Sequence, residues 1–424
     1  MQRSKWSPER YEVIVCGAGS AGCAAAFAAA TAGARTLLVE RLGFCGGTPV
    51  AAAIHTLDAV RSCRDTAVRV VGGLPPGSST KRSLWAEEPR KIIPRKTLVL
   101  NPEHMKVAYD MLLREAGVEV LLHALVIDTK VTEGRVAGLE LALLDGRSMV
   151  ECDVAIDCTG DAAIVYQAEA EWQMDRALQP MTYHFRLGNV RPGRNWKWFE
   201  DACREAVEKH ASEGFVYGGP WIIRLNENEI SLNTTRVFGN PVDSRERSDA
   251  EMQARADMLR LTAILQQEVP ELQHSYLVAG ATDLHVRESR KLVGAYTLTQ
   301  EDIVNVRTFP DAVAFAAWPI DVHPTDGSVG VHPHKENPPC PYGVPYRCLV
   351  PTRMDGLLVA GKAISTTHVA HGSTRVPGTS MAIGQAAGVA AALAARNNIR
   401  PRDIDAVELR RELANQGAIL PATM

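Results

Sequence analysis

Two styles of apolar patterning alternate along the chain. In the first, a short unbroken apolar run is followed by a glycine turn and a helix of small residues. YEVIVC (11–16) is such a run, GAGSAGCAAAFAAATAG (17–33) the turn and helix, and ARTLLVE (34–40) a second run ending on an acid. Strands that do not alternate are those covered on both faces, as in a parallel sheet. The same style returns at GLLVAGKAIS (356–365) and, after a long loop, at TSMAIGQAAGVAAALAARN (379–397). The second style is amphipathic. PEHMKVAYDMLLREAG (102–117) carries apolar residues at helical spacing, with Pro102 near its start and Gly117 as a stop. Residues 124–160 then alternate, which predicts an antiparallel meander with turns at Glu133–Gly134 and Asp145–Gly146. Its last segment, DVAIDCTG, rejoins the main sheet.

Between about Met174 and Arg347 the character changes. Strand-like pieces (MTYHFRLGNV, PWIIRL, EISLNTTRV, DAVAFAAWPI) alternate with helices near 195–213 and 244–268. Residues 72–83 and 321–343 are rich in turn formers and predict loops. The expected fold is α/β: a Rossmann-type unit with a parallel sheet and a β-meander, built from 1–173 and 348–424. An α+β unit, 174–347, is inserted in it.

Composition narrows the function classes. Of 424 residues 46% are hydrophobic, ordinary for a globular protein, and the net charge of -3 gives no electrostatic case for nucleic acid or an anionic membrane. No run of about 18 residues is both apolar and free of charge, so no membrane span is expected. The polar start MQRSKWSPER resembles neither a signal nor a transit peptide. Nine cysteines without a CxxC motif read as reduced thiols in a cytoplasmic protein, with no disulfide framework or zinc site.

The glycines of 17–22 carry the chemistry. Gly17, Gly19 and Gly22 form GxGxxG between a strand and a helix, and Glu40 follows Gly22 by 18 residues. Gly17 permits the turn, Gly19 leaves room for a pyrophosphate, and Gly22 lets helix and sheet approach. The helix N-terminus offers free N–H groups to phosphate. Glu40 can accept from a ribose, which argues against a 2′-phosphate there. At the far end, Thr379 and Ser380 are placed to cap the last long helix. Gly384, Ala387, Gly388 and Ala391 give that helix a small-residue face that something can approach closely. Two helix N-termini can therefore meet one extended cofactor.

The order of GAGSAGCAAAFAAATAG, LLVERLGFCGGTPV, DCTGDAAI, VRESRKLVGAYTLTQEDI, WPIDVH, GVPYRCLVP and LLVAGKAISTTHVAHGSTRV, then TSMAIGQAAGVAAAL, resembles the FAD-dependent oxidoreductases of the glutathione-reductase-like superfamily. The resemblance spans nearly the whole chain. It implies FAD, with Gly17, Gly19, Ser20, Ala21 and Gly22 on the pyrophosphate, Glu40 on the adenosine ribose and Arg41 beside it. Gly46, Gly47 and Thr48 would line the phosphate and flavin side, and the Val126 backbone would meet adenine. Thr159, Gly160, Asp161 and Gly361 match turns near the cofactor, and Thr379, Ser380, Met381 and Ala382 would lie by the flavin pyrimidine. Where relatives carry an acid after that last glycine, this chain has Lys362, so no ribitol contact is implied there.

Flavin supplies redox chemistry, and the protein must supply proton transfer and charge matching. Candidates are His285 and Arg287 in DLHVRESRKLVG, and His368, His371 and Arg375 in THVAHGSTRV, with His371 foremost. An imidazole can take a proton as hydride leaves, and an arginine can clamp a carboxylate or stabilise reduced flavin. Arg287, Glu288 and Arg290 can equally form an ion-pair network joining the units, and His184 reads as a core or pocket-wall residue. Cys45 lacks a nearby partner for a flavin–disulfide relay. His323, His332, His334 and Cys340 lack regular ligand spacing and read as a solvated loop, so no metal is expected. The leading expectation is a dehydrogenase or oxidase passing hydride from a small organic substrate to flavin N5, with an unidentified electron acceptor. A reductase of an activated double bond, an electron-transfer subunit and an NAD-binding protein stay open, as does a homo-oligomer.

Overall fold

The computed structural model describes residues 6, 10–62, 68–73, 97–193, 195–325, 332–333, 338 and 341–422. Its central sheet contains the strands Glu119–Leu121, Thr36–Val39, Arg10–Cys16 and Gly146–Asp157 in that spatial order, with Leu357–Val359 also on Gly146–Asp157. These pairings are parallel. Val39, Cys16, Asp157 and Val359 stand in register, so the four turns that leave them lie along one edge. Gly146–Asp157 is shared, because its first half pairs antiparallel with Arg135–Leu143, which pairs with Leu125–Thr132. Glu133 and Gly134 have φ of 50° and 74°, which suits the tight turn expected between those strands.

The helix over 102–117 is found at Pro102–Glu115, with Asn101 accepting from the Glu103 and His104 N–H groups. On the same sheet Ser20–Thr31 and Pro377–Asn397 lie helix on helix. A Cβ on Gly384 would sit 2.1 Å from the Ala21 carbonyl oxygen, and one on Gly388 2.1 Å from that of Ala25. The small-residue face of the last helix therefore meets another helix, not a cofactor. By length and composition that helix could cross a membrane, but 94% of its apolar window is buried inside the protein.

The second sheet is antiparallel, in the order Tyr217–Arg224, Glu229–Thr235, Phe185–Gly188, Tyr276–Gly280. Strand alternation gives it two unlike faces. Phe185, Leu187, Ile230 and Leu232 form a core with Phe199 and Leu261 of helices Trp196–Lys209 and Ser244–Glu268. On the other face Ser231 Oγ lies 3.2 Å from His55 Nδ1 and 3.4 Å from the Ala53 carbonyl, so this face is turned to the nucleotide unit.

Two expectations change. Ala312, Val313, Ala314, Ala316 and Ile320 of DAVAFAAWPI, with Leu298, Ile303 and Tyr346, join the main core rather than that of the second sheet. Local patterning cannot show which core a strand enters. The stretch after Ile364 holds a short helix, His368–Thr374, where a loop was expected. The 72–83 loop lies outside the described residues beyond Gly73.

Candidate functional site

A cleft of about 370 Å³ opens along the edge where the four parallel strands end. Ligands of open α/β sheets bind at such carboxyl ends. Of the residues singled out from sequence, Gly17, Gly19, Ser20, Ala21, Glu40, Arg41, Gly47, Thr48, Thr159, Gly160, Asp161, Gly361, Arg375 and Ser380 line it.

The three glycines of the turn have three different surroundings. Gly17 has φ of 94°, and a Cβ there would lie 2.6 Å from the Cys158 carbonyl oxygen. A Cβ on Gly22 would lie 1.7 Å from the Gly17 carbonyl oxygen, so this residue seats the helix on the turn. Gly19 alone faces open space, its nearest neighbour being Gly47 Cα at 3.8 Å. The turn is clamped from both sides: Ala18 N–H donates to Glu40 Oε2 at 2.7 Å, and Gly46 N–H donates to the Ala18 carbonyl at 2.8 Å. Glu40 thus shapes the turn as well as lining the cleft, and its other oxygen accepts from Leu42 N–H at 2.9 Å.

Sequence reasoning passed over Asp157. Its carboxylate accepts from Thr159 N–H and Oγ1 at 3.0 and 2.7 Å, and from Ile164 and Val165 N–H at 2.8 and 3.2 Å. It folds the Thr159–Asp161 turn, and burial pushes its carboxyl up despite those bonds. The signal was an acid closing an apolar strand just before a Thr-Gly turn. Asp161 in turn accepts from Ser289 Oγ at 2.7 Å and from Lys362 Nζ at 3.2 Å. Burial raises its carboxyl, but Lys362 and Arg247 carry it to a net lowering. Lys362, the departure from the family pattern, is therefore engaged by Asp161. Arg247 lies 3.6 Å from Asp161 and 2.8 Å from Asp283, which also pairs with Arg41. These ion pairs tie the two units together across the cleft.

Several expected site residues lie elsewhere. Val126 is off the cleft, and its carbonyl accepts from Gln167 Nε2 at 3.3 Å. Thr379 does not cap the last helix: Val376 holds that position, Pro377 opens the helix, and Thr379 Oγ1 is buried without a partner. Met381 and Ala382 pack on the main core. His371 is 1% exposed, and its Nε2 lies 2.8 Å from the Arg287 carbonyl. Burial lowers its pKa to about 3, so the neutral ring donates there. His368 bonds Glu288, and Lys291 Nζ lies 2.8 Å from Glu288 and 2.6 Å from Asp175. Asp175, Glu288 and His368 have ligand atoms within 4.8 Å of one another, yet the Lys291 ammonium already supplies a cation to this cluster. Of the proposed ion-pair network, Glu288 belongs here, while Arg290 stacks over Tyr166 at 4.3 Å and Arg287 pairs with neither acid.

A cluster of buried polar side chains lies on the face of the second sheet turned to the nucleotide unit. Arg236 and Arg287 are 4% and 1% exposed, and both donate to Thr182 Oγ1, at 2.9 and 2.6 Å. Arg375 joins them from the cleft wall, with Nη2 3.0 Å from Asp321 Oδ2. His184 and His285 stand with ring centroids 5.7 Å apart, and His323 meets the Trp221 ring at 5.8 Å. His323 is 4% exposed, so it is not on a solvated loop; His334 and Cys340 lie outside the described residues, as do the side chain of His332 and Cys63. Arg236, Thr182 and Asp321 went unassigned from sequence. The available signal was the polar set Thr182, His184, Arg186 at every second position of an otherwise apolar strand.

The fold and cleft define a dinucleotide-binding α/β protein with a second unit laid over the site. The chain belongs to the FAD dependent oxidoreductase family, whose model matches residues 12–413. It is an enzyme, and FAD is its cofactor. No curated protein matches it. Among solved structures it is similar to the myxobacterial chondrochloren halogenase CndH, a FAD-dependent halogenase, at 17% identity and a TM-score of 0.50, over 96% of this chain and 78% of that one. It is also similar to a geranylgeranyl bacteriochlorophyll reductase-like protein from Thermoplasma acidophilum, at 13% identity and a TM-score of 0.48, over 97% and 84% of the two chains. The first of these likenesses speaks to the fold alone. The residues present fit the cofactor: Gly19 opens on space, and the Ser20 and Thr379 hydroxyls are buried at two helix starts without partners.

Proposed function

We propose that this enzyme is a dehydrogenase or oxidase that removes hydride from a small organic substrate held between the nucleotide unit and the second sheet. FAD, when bound, supplies the hydride acceptor at its N5 atom. Gly17–Gly22 would hold the pyrophosphate on the N-terminus of Ser20–Thr31, and Glu40 the ribose. Gly47, Thr48, Thr159–Asp161, Gly361 and Ser380 are the cleft residues for the flavin side.

The observation that carries this reading is the buried cluster that meets the cleft at Arg375, where neutral imidazoles stand beside guanidiniums. Burial, then the charge of Arg287, holds the His285 pKa well below its ordinary value, and its Nδ1 has no partner. That nitrogen is held unprotonated, but it would serve as a proton acceptor for a hydroxyl or amine only once the charge of Arg287 is offset. His285 takes the role first considered for His371, whose donating nitrogen is committed to the Arg287 carbonyl. Arg375 belongs to both cleft and cluster, and would orient the substrate. Anaerobic titration of the FAD-loaded enzyme with organic donors tests this. Bleaching by an alcohol or amine donor supports it. Bleaching by NAD(P)H alone would replace it with the reductase reading.

A further inference from the structure

The cluster has a charge imbalance. The buried guanidiniums of Arg236, Arg287 and Arg375 converge there, and Asp321 is the one carboxylate that acts on Arg236 and Arg287 among the described residues. Asp321 is bonded to Arg375, and it lies 3.7 Å from His323 Nε2. The histidines do not add to the excess, because burial and the arginines keep His184, His285 and His323 uncharged. Burial, with Arg375 opposing Asp321, draws Arg236 down to about 9, which still leaves it protonated at neutral pH. Burial and its two arginine neighbours likewise draw Arg287 well below its ordinary value. A guanidinium holds its proton, so three arginines against Asp321 leave an excess of about two positive charges. Uncompensated buried charge is costly and is retained where a ligand completes it.

The hydrogen-bonding inventory agrees. Arg236 Nη2, Arg287 Nε, Arg375 Nε, His285 Nδ1 and His323 Nδ1 are buried without partners, as is one carboxylate oxygen, Asp321 Oδ1. The three guanidinium nitrogens are donors that no side chain of the protein meets. Guanidiniums are the side chains best shaped for planar anions such as carboxylates. Trp221, with Arg236 stacked at 5.1 Å and His323 at 5.8 Å, forms one wall.

We propose that the substrate is a small organic dianion, a dicarboxylic acid, bound by Arg236, Arg287 and Arg375 on the face of the second sheet turned to the nucleotide unit. This deepens the oxidoreductase reading and rests on it for what happens to the bound acid. A carboxylate seated there would also offset Arg287 and return basicity to His285, so that the proton acceptor would be armed by its own substrate.

The test titrates the FAD-loaded enzyme anaerobically with malonate, succinate, glutarate and malate, and with succinamide as an uncharged counterpart. The flavin spectrum and the melting temperature report binding. A diacid is expected to bind about 30-fold or more tightly than succinamide, and Arg236→Gln to lose about that factor while retaining FAD. Arg236→Lys, which keeps the charge, should recover part of it. Should Arg236→Gln not fold, the comparison of acid and amide on the unaltered enzyme decides alone. Equal binding of acid and amide, equal binding of acetate and diacid, or preference for a phosphate monoester would each overturn the proposal. So would an Arg236→Gln enzyme whose flavin potential shifts while diacid affinity stays, since the guanidinium would then serve the flavin. Diacid binding without bleaching upholds the anion site and removes the hydride reading. Bleaching by a neutral donor that diacids do not inhibit does the reverse.

Discussion

Arg236 and Arg287 share one acceptor: both donate to the hydroxyl oxygen of Thr182, at 2.9 and 2.6 Å. Two buried cations held this closely need that oxygen. Thr182→Val keeps the shape and removes the acceptor. It is expected to destabilise the enzyme by about 2–4 kcal/mol and to raise KM, with FAD retained. Thr182→Ser should restore both. Thermal unfolding with steady-state kinetics checks this, and unchanged values in the valine variant would contradict it.

Glu40 holds the glycine turn through the Ala18 and Leu42 N–H groups. Glu40→Ala leaves both donors unmet. A loss of about 1.5–3 kcal/mol per charged bond is expected, with weaker FAD retention. Equilibrium dialysis of FAD, alongside unfolding of the FAD-free protein, separates the two effects. A variant that keeps its stability but loses FAD would reduce Glu40 to a ribose contact.

Gly384 cannot carry a side chain without moving the Ala21 carbonyl, 2.1 Å from where its Cβ would stand. Gly384→Ala is expected to cost about 3 kcal/mol or more and to loosen FAD, because Ala21 lines the cleft. Gly117 is the comparison: its φ is 77°, but nothing lies within 4 Å, so Gly117→Ala should cost only about 1–2 kcal/mol. Melting temperatures of the pair check the difference.

Much of this was legible in the residues. The strand, turn and helix of 10–31 followed from an unbroken apolar run and a GxGxxG, and the meander from alternation interrupted at Glu133–Gly134. The glycine roles also followed, since Gly17, Gly19 and Gly22 each have a local reason to lack a side chain. What stayed hidden depends on contacts between segments far apart in the chain. Gly384 and Gly388 showed a small-residue face, but only the fold reveals Ala21 and Ala25 on the other side. His371 showed an imidazole near the expected flavin, but its tie to the Arg287 carbonyl crosses 84 residues. The cluster draws Thr182, Arg236, Arg287, Asp321 and Arg375 from five separate segments, and no local pattern joins them.

The His368–Glu288 pair makes stability depend on pH. The bond to Glu288 raises His368 above its ordinary 6.5 against the effect of burial. Its stabilisation is therefore fully present below 6.5 and lost as pH rises through the raised value. Burial raises Glu288, but His368, His371 and Lys291 bring it to a net lowering, so its share is present above 4.5 and lost as pH falls through the lowered value. The stability gap between the unaltered enzyme and His368→Gln should be widest in mildly acidic solution and narrow as pH rises. Denaturant unfolding across pH checks this, and a gap that widens with pH would contradict it.

Anaerobic mixing of the FAD-loaded enzyme with a hydroxy diacid such as malate, followed in the visible flavin band, tests the account most directly. The account predicts that this donor class bleaches the flavin, that a non-oxidisable diacid competes, and that Arg236→Gln suppresses the bleaching while keeping FAD. A flavin bleached by NAD(P)H but by no organic acid, and indifferent to diacids, would contradict it.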